Sequence, residues 1–169
     1  MEYKKKLTLM KTLDLKSSIT FCQKEELAEA DQQLIERAVE ATSRSYSRYS
    51  HFSVGACLRL ADGTLVLGAN QENAVYPVGL CAERTAIFAA QVQHPDQPIV
   101  AIAIAARNEQ GELVADPVSP CGSCRQVMLE AEQRHAQPMR ILLYGQRGVY
   151  VMDGVRQLLP LAFIEESMK

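Results

Sequence analysis

The sequence predicts a layered α/β domain, and three patterns support this class. Apolar residues recur at helical spacing over 24–46, alternate with polar residues over 52–60, and form an unbroken apolar run over 99–106. The first pattern is typical of an amphipathic helix, the second of a half-buried strand, and the third of a strand covered on both faces. Because helix and strand patterns alternate along the chain, we expect five strands with helices between them, packed in layers.

A hairpin and a second helix follow the first strand. The pair Asp62 and Gly63 is a strong hairpin signal, so 64–68 is predicted as a second strand. The segment 70–79 is polar and has little regular pattern, which indicates a loop. The alanine-rich stretch 81–92 is predicted as the next helix.

The C-terminal third continues the alternation. Ser119 and Pro120 are typical of the N-cap and first turn of a helix, which we expect to run to about residue 135. The remaining predicted elements are strands over 139–144 and 149–152, followed from residue 155 by a short helical turn and a tail.

Composition favours a small-molecule substrate. The 169 residues are 47% hydrophobic and 22% charged, which suits one soluble domain with a full core. The formal net charge is −2, whereas proteins that bind nucleic acid usually present a basic face. The lysine-rich start, 1–16, departs from this balance, and we interpret it as a solvated arm or an edge strand. We therefore expect no nucleic-acid partner.

The sequence also gives expectations about compartment. No apolar run approaches ~18 residues, and the apolar stretch after Lys6 is too short for a signal peptide. The five cysteines are an odd count, which favours free or metal-binding thiols over a disulfide framework. We therefore predict a cytoplasmic protein with no membrane partner.

Two short motifs supply three thiols and a carboxylate. Cys81 opens one predicted helix, Cys121 and Cys124 lie near the start of another, and Glu83 follows Cys81 by two residues. Three thiolates hold zinc and leave its fourth position open, as catalytic zinc sites do, although iron is also compatible with the spacing. A structural zinc site would need a fourth ligand, and a redox pair of Cys121 and Cys124 would leave the first motif unexplained.

The charges around such a site have two interpretations each. Glu83 could carry protons to and from a water at the metal, or it could be an ordinary helix-start glutamate favoured by the dipole. Arg84 and Arg125 each neighbour a ligand cysteine in sequence, so either could offset the negative charge of three thiolates. Either arginine could equally lie on the surface.

Four motifs follow one another along the chain. They are 49–56 (YSHFSVGA), 68–76 (GANQENAVY), 81–84 (CAER) and 120–126 (PCGSCRQ). In this order and at this spacing they resemble the small, homotetrameric cytidine deaminases. The resemblance runs from about residue 24 to 163, so we divide the chain into an N-terminal extension of unassigned role (1–20) and a deaminase domain (21–169).

The resemblance implies a fold, a reaction and an assembly. The fold would be a three-layer α/β/α domain with a mixed five-stranded sheet. The reaction would be the hydrolytic deamination of cytidine and 2′-deoxycytidine, releasing ammonia, in pyrimidine salvage. Zn²⁺ would lie on Cys81, Cys121 and Cys124, with Glu83 as the proton shuttle and Arg84 as the charge-compensating cation. The assembly would be a homotetramer with shared active sites.

The resemblance also implies a set of substrate contacts. Phe52 would lie against the pyrimidine, Asn70 and Glu72 would bind the ribose hydroxyls, and the backbone of Ala82 would recognise the edge of the base. Phe163 would enter the site of a neighbouring subunit. Each of these residues also has an ordinary interpretation as a core, turn or surface position.

Two other functions remain open on sequence grounds. One is a deaminase of the same fold that acts on a nucleoside antibiotic or on cytosine in nucleic acid. The other is a non-catalytic, zinc-stabilised binding module. An amide and a carboxylate placed to hold a diol favour a nucleoside, and the acidic balance of the chain disfavours a polynucleotide.

Overall fold

The computed structural model, which describes residues 10–169, contains one mixed sheet with helices packed against both faces. This confirms the predicted α/β class, but the predicted number of strands is wrong, because the sheet has six strands and not five. The strands are β1 (Thr20–Cys22), β2 (Ser53–Leu60), β3 (Leu65–Ala69), β4 (Ile99–Arg107), β5 (Arg140–Gly145) and β6 (Gly148–Asp153). The helices are α1 (Glu29–Ala41), α2 (Ala82–Gln93) and α3 (Gly122–His135).

The strand order is β1-β6-β5-β4-β2-β3. Only β4 and β5 run parallel, and every other neighbouring pair is antiparallel. The additional strand, β1, pairs with β6 at one edge, with Thr20 opposite Val151. Three residues are too few to show a period of two, which is why the sequence pattern did not predict this strand.

The central strand β4 shows why the sheet is covered on both faces. Ala101 and Ala103 belong to a buried cluster with Leu34 of α1, whereas Ile102 and Ile104 belong to a second cluster on the opposite face. That second cluster contains the inward side chains of α2 and α3. The three layers are therefore α1, the sheet, and the pair α2 and α3, as the unbroken apolar run predicted.

The first helix is shorter than predicted. It covers Glu29–Ala41, with single 3-10 turns before and after it and extended backbone at Ala28. Buried Asp31 in its first turn accepts from Arg59 at 2.9 Å and from Arg140 at 2.8 Å. These two strand arginines tie the start of α1 to the sheet.

The third helix begins later than predicted. Its N-cap is Cys121, with φ −66° and ψ 165°, so Ser119 and Pro120 lie outside the helix. The carbonyl of Pro120 and the hydroxyl of Ser119 instead accept hydrogen bonds from Arg125, at 2.9 and 2.8 Å. The side chain of Arg125 therefore connects the helix to the two residues that the sequence assigned to its N-cap and first turn.

In the described part of the N-terminal extension, residues 10–20, every residue is exposed, and only Thr20 belongs to a helix or strand, namely β1. The lysines at 4, 5 and 6 lie outside the described residues. Within residues 10–169, no helix combines the length and the apolar character needed to cross a membrane.

Candidate active site

Cys81 is held at the end of a paired loop. The loop that follows β3 closes on itself, because Gln71 and Leu80 exchange backbone hydrogen bonds of 2.8 and 2.9 Å. Cys81 comes next with extended backbone as the N-cap of α2, and its carbonyl accepts from the amide and the hydroxyl of Thr85. Its sulfur therefore sits at the positive end of a helix, beside the loop that carries Asn70 and Glu72.

The start of α3 supplies the other two sulfurs. Cys121 is the N-cap and is exposed, whereas Cys124, in the first turn, is fully buried. The free N–H groups and the dipole at each helix N-terminus stabilise a thiolate, so two converging helix starts suit an anionic cluster of sulfurs.

The three sulfurs form a cluster that could hold a metal ion. The Sγ atoms of Cys81 and Cys121 lie 3.9 Å apart, those of Cys121 and Cys124 lie 3.4 Å apart, and all three lie within 4.8 Å of one another. Tetrahedral zinc with Zn–S bonds of about 2.3 Å separates its sulfur ligands by about 3.8 Å, so the cluster fits zinc. Among residues 10–169, no fourth His, Cys, Asp or Glu joins the cluster.

The cluster favours a thiolate at Cys81 and a thiol at Cys124, because the hydrogen bond to Cys81 and burial raise the pKa of Cys124. Hydrogen bonds from the Cys124 thiol and from Arg84 lower the pKa of Cys81 to about 5, although its partial burial opposes this. Arg84 Nη2 lies 3.8 Å from the sulfur of Cys81 and 3.4 Å from the carbonyl of Gly79. The buried Nε of Arg84 has no hydrogen-bond partner among the described residues.

Glu83 is a buried carboxyl group beside the sulfurs. The residue is only 4% exposed, in the first turn of α2. Burial raises the pKa of the Glu83 carboxyl, and the negative charge of Cys81 raises it further. This environment differs from that of a solvated helix-start glutamate, and a raised pKa suits a group that both binds and releases a proton.

Arg125 neighbours Cys124 in sequence, but among the described residues its side chain donates to oxygen atoms and to no sulfur. Its three nitrogens donate to the carbonyl of Pro120, the carbonyl of Leu158 and the hydroxyl of Ser119, at 2.8–2.9 Å. Arg125 therefore ties the cysteine loop to the C-terminal segment, and Arg84 is the arginine that contacts a sulfur.

A cavity of about 550 Å³ opens beside Cys81 and Arg84. Its size lies within the range of about 300–1,000 Å³ that is usual for small-molecule sites. The residues that line it are Tyr49, Ser50, Asn70, Gln71, Glu72, Asn73, Tyr76, Gly79, Leu80, Cys81 and Arg84.

Asn70 lines this cavity and also holds its wall together. Its Oδ1 accepts from the hydroxyl of Ser45 at 2.6 Å and from the amide of Val54 at 2.7 Å. Its Nδ2 donates to the carbonyl of Phe52 at 3.0 Å. Both acceptor sites of the amide and one of its two N–H groups are therefore used within the protein.

Glu72 is an ionised carboxylate at the mouth of the cavity. It accepts from the amide of Tyr49 at 2.7 Å, from the amide of Ser50 at 3.2 Å and from the Ser50 hydroxyl. The Ser50 hydroxyl in particular lowers the pKa of the Glu72 carboxyl. The segment 49–50 was part of a recognised motif, but the sequence assigned it no role.

The other predicted contacts occupy different positions around the cavity. Phe52 is half-buried and Ala82 is fully buried at the start of α2, and neither lines the cavity wall. Phe163 is 62% exposed, and its carbonyl accepts from Gln126 of α3 at 2.8 Å. The side chain of Phe163 does not line this cavity.

Sequence reasoning missed the aromatic part of the cavity. Tyr49 and Tyr76 form an edge-to-face pair, with ring centroids 5.9 Å apart, and both line the cavity. Both residues belong to motifs that carry the family resemblance, and this membership is the sequence signal that could have identified them. Their common location depends on two loops that meet only in the folded chain.

Comparison with known proteins shows similarity over most of the chain. The family model described as the cytidine and deoxycytidylate deaminase zinc-binding region matches residues 28–137. A cytidine deaminase of Halalkalibacterium halodurans is 41% identical over 137 residues, which cover 81% of this chain and 96% of that protein. A cytidine deaminase of Sporosarcina psychrophila is 39% identical and covers 81% and 93%, respectively.

Solved structures agree with the sequence relatives. A crystal structure of cytidine deaminase from Burkholderia pseudomallei aligns with a TM-score of 0.66 and 38% identity, covering 78% of this chain and 97% of that one. A crystal structure of cytidine deaminase from Mycobacterium tuberculosis aligns with a TM-score of 0.61 and 32% identity, covering 78% and 95%.

Proposed function

This chain belongs to the cytidine and deoxycytidylate deaminase family, and we propose that it converts cytidine and 2′-deoxycytidine to uridine and 2′-deoxyuridine with release of ammonia. The observation that carries this proposal is the juxtaposition of the buried Glu83 carboxyl with a three-cysteine cluster that has no fourth ligand among the described residues. Three ligands leave a position for chemistry, whereas a structural zinc site has four.

The proposed chemistry assigns a role to each charged group. Cys81, Cys121 and Cys124 would hold zinc, which when bound supplies the Lewis acidity that makes water nucleophilic near neutral pH. Glu83 takes a proton from the attacking water and delivers one to the departing amine, a role that its raised pKa supports. Arg84 offsets the charge of the thiolates through its contact with Cys81.

Of the proposed substrate contacts, Asn70 and Glu72 line the cavity, whereas Phe52 and Ala82 do not. Asn70 retains one N–H group and Glu72 retains an acceptor position for the ribose hydroxyls. Phe52 packs against the pyrimidine, and the backbone of Ala82 recognises the edge of the base. Because this set contains ribose contacts, free cytosine should be a very poor substrate.

We propose further that the active protein is a homotetramer in which Phe163 completes the site of a neighbouring subunit. Several apolar side chains near the cavity and on α2 are exposed in one subunit, including Tyr76 at 75% and Val92 at 81%. Exposed apolar clusters of this kind are typical of protein interfaces. Phe163 is another exposed ring, and its backbone carbonyl accepts a hydrogen bond from Gln126 of α3.

The assembly can be tested by deleting residues 160–169. We expect the deletion to raise the KM for cytidine and to weaken assembly in light scattering. A fully active monomer at assay concentration would rule out shared sites. We propose in addition that the protein is cytoplasmic and acts in pyrimidine salvage. We assign no function to the extension 1–20.

The reaction itself can be tested with purified protein. An ultraviolet assay should show loss of cytidine and of 2′-deoxycytidine, with much slower loss of cytosine, and zinc measured in the same sample should approach one ion per chain. Zinc at that ratio without turnover would favour a non-catalytic binding module. Comparable turnover of cytosine and cytidine would contradict the ribose contacts.

A further inference from the structure

The hydroxyl of Ser50 connects two residues for which we propose substrate contacts. Its Oγ donates to Oε1 of Glu72, and the Ser50 amide donates to Oε2 at 3.2 Å. Two of the three hydrogen bonds that Glu72 receives from the described residues therefore come from Ser50, and the third comes from the amide of Tyr49 at 2.7 Å.

The same oxygen also acts as an acceptor. The amide of Phe52 donates to the Oγ of Ser50 at 3.1 Å. A hydroxyl has one hydrogen and two lone pairs, so it can donate to Glu72 and accept from Phe52 at the same time. One side chain therefore links the carboxylate at the mouth of the cavity to the backbone of Phe52.

The residue between Ser50 and Phe52 has an uncommon backbone conformation. His51 has a φ of 55°, in the left-handed region, and its amide donates to the carbonyl of Ser47 at 2.9 Å. For a residue other than glycine this conformation is costly, and it persists where surrounding contacts hold it. Here it accompanies the turn that brings the amide of Phe52 back to the Ser50 hydroxyl.

We propose that Ser50 is a positioning residue that orients the Glu72 carboxylate towards the ribose and holds the backbone of Phe52 relative to it. This inference rests on the proposed function, because it requires Glu72 to bind the ribose. Without the hydroxyl, Glu72 keeps only two backbone donors, and Phe52 loses the side-chain acceptor of its amide. Ser50 acts through Glu72 and Phe52 and is not itself placed against the reacting atoms.

The test compares Ser50→Ala with two other variants. Ser47→Ala is the matched control, because Ser47 lies in the same loop and its hydroxyl pairs with that of Ser53 at 2.9 Å. Ser50→Thr keeps a hydroxyl and should restore most of the lost function. Thermal unfolding of all three variants establishes that they are folded at the assay temperature.

The substrates are cytidine and 2′,3′-dideoxycytidine, which lacks both hydroxyls of the proposed ribose contact. For Ser50→Ala we expect the KM of cytidine to rise about tenfold with a smaller change in kcat, since a lost hydrogen bond to a charged group has an effect of this size. The ratio of kcat/KM between cytidine and dideoxycytidine should fall by a similar factor. In Ser47→Ala this ratio should stay at the wild-type value.

An unchanged ratio in Ser50→Ala would overturn the inference, whether or not total activity falls, because a purely structural loss reduces both substrates alike. Failure of Ser50→Thr to recover the ratio would also count against it. The absence of cytidine turnover by the wild-type protein would contradict the proposed function, and this inference with it. Wild-type turnover of cytidine with an unchanged ratio in Ser50→Ala would contradict this inference alone.

Discussion

The starts of α2 and α3 share a cysteine and a nearby arginine, and they use the arginine differently. Each begins with an extended cysteine as N-cap, and each has an arginine within the next four residues. In α2 the arginine, Arg84, turns towards the sulfur of Cys81. In α3 the arginine, Arg125, donates to two backbone carbonyls and a serine hydroxyl, and so connects the start of α3 to the preceding loop and to the C-terminal segment.

Packing explains the difference. The start of α2 is pressed against the sheet, where a Cβ atom on Gly68 would come within 2.3 Å of the carbonyl oxygen of Ala82. At the start of α3 the backbone is open at Gly122, which has no atom within 4 Å of such a Cβ position, although Cys124 in the same turn is buried. The buried helix start can therefore hold a desolvated carboxyl group and a cation near the sulfurs, whereas the open one contributes ligands and an anchor for the C-terminal segment.

The largest loss of zinc and of activity should come from replacing the cysteines, which both helix starts contain. Cys81→Ala, Cys121→Ala and Cys124→Ala should each remove most bound zinc and almost all activity, because two remaining thiolates do not form a three-ligand site. Metal analysis of the purified variants measures this. Cys22→Ala and Cys57→Ala are the controls and should retain zinc, and full zinc content in any of the first three variants would contradict the three-cysteine assignment.

The second-largest loss of activity should come from replacing Glu83, which lies at the start of α2. Glu83→Gln should keep its zinc and its fold but lose activity by about 10²–10⁴-fold, the contribution usual for a general acid–base group. The measurement is kcat for cytidine, with zinc content determined on the same sample. Near wild-type turnover would remove Glu83 from the mechanism and leave α2 and α3 equivalent.

The two arginines give a direct test of the comparison. Arg84→Gln should lower kcat by about tenfold, the effect of a change of about 1.4 kcal/mol in the barrier, with little change in stability. Arg125→Gln should instead lower the free energy of unfolding by about 2 kcal/mol, because it leaves the carbonyls of Pro120 and Leu158 without their donor. Urea denaturation and steady-state kinetics on both variants measure these effects, and reversed outcomes would contradict the assigned roles.

The smallest effects on catalysis should come from two glycines, whose substitution acts on stability. Gly68→Ala should lower the free energy of unfolding by about 3 kcal/mol, because the new Cβ meets the backbone of α2 and overpacking has costs of this order. Gly122→Ala meets no atom and should raise stability by up to about 1 kcal/mol, since alanine restricts the unfolded chain. Thermal unfolding of the pair compares the two helix starts, and equal effects would mean that they are packed alike.

Local patterns predicted the parts of the fold whose residues are close in sequence. The alternation over β2, the hairpin that follows it and the apolar run of β4 are confirmed, because each signal lies within the element that it describes. The patterns failed where distant contacts decide. The edge strand β1 is too short to show a period, and α1 ends where 3-10 turns replace the predicted helix.

The same distinction applies to the candidate site. Cys81, Glu83 and the pair Cys121 and Cys124 could be named from sequence, because thiolates and a carboxylate in these motifs have few chemical uses. Their roles stay predictions. The convergence of the sulfurs depends on residues 40 positions apart, brought together when α2 and α3 pack on one face of the sheet.

By itself, the sequence determined the α/β class, the start of the helix at Cys81 and the kinds of chemical group that the cysteine motifs supply. Only the tertiary structure decided which arginine contacts a sulfur, and that Ser50 holds Glu72 at the mouth of the cavity. The physical reason is that residue type and period are properties of short segments. The direction of a side chain such as Arg84 or Arg125 depends instead on which carbonyls and sulfurs packing brings within its reach.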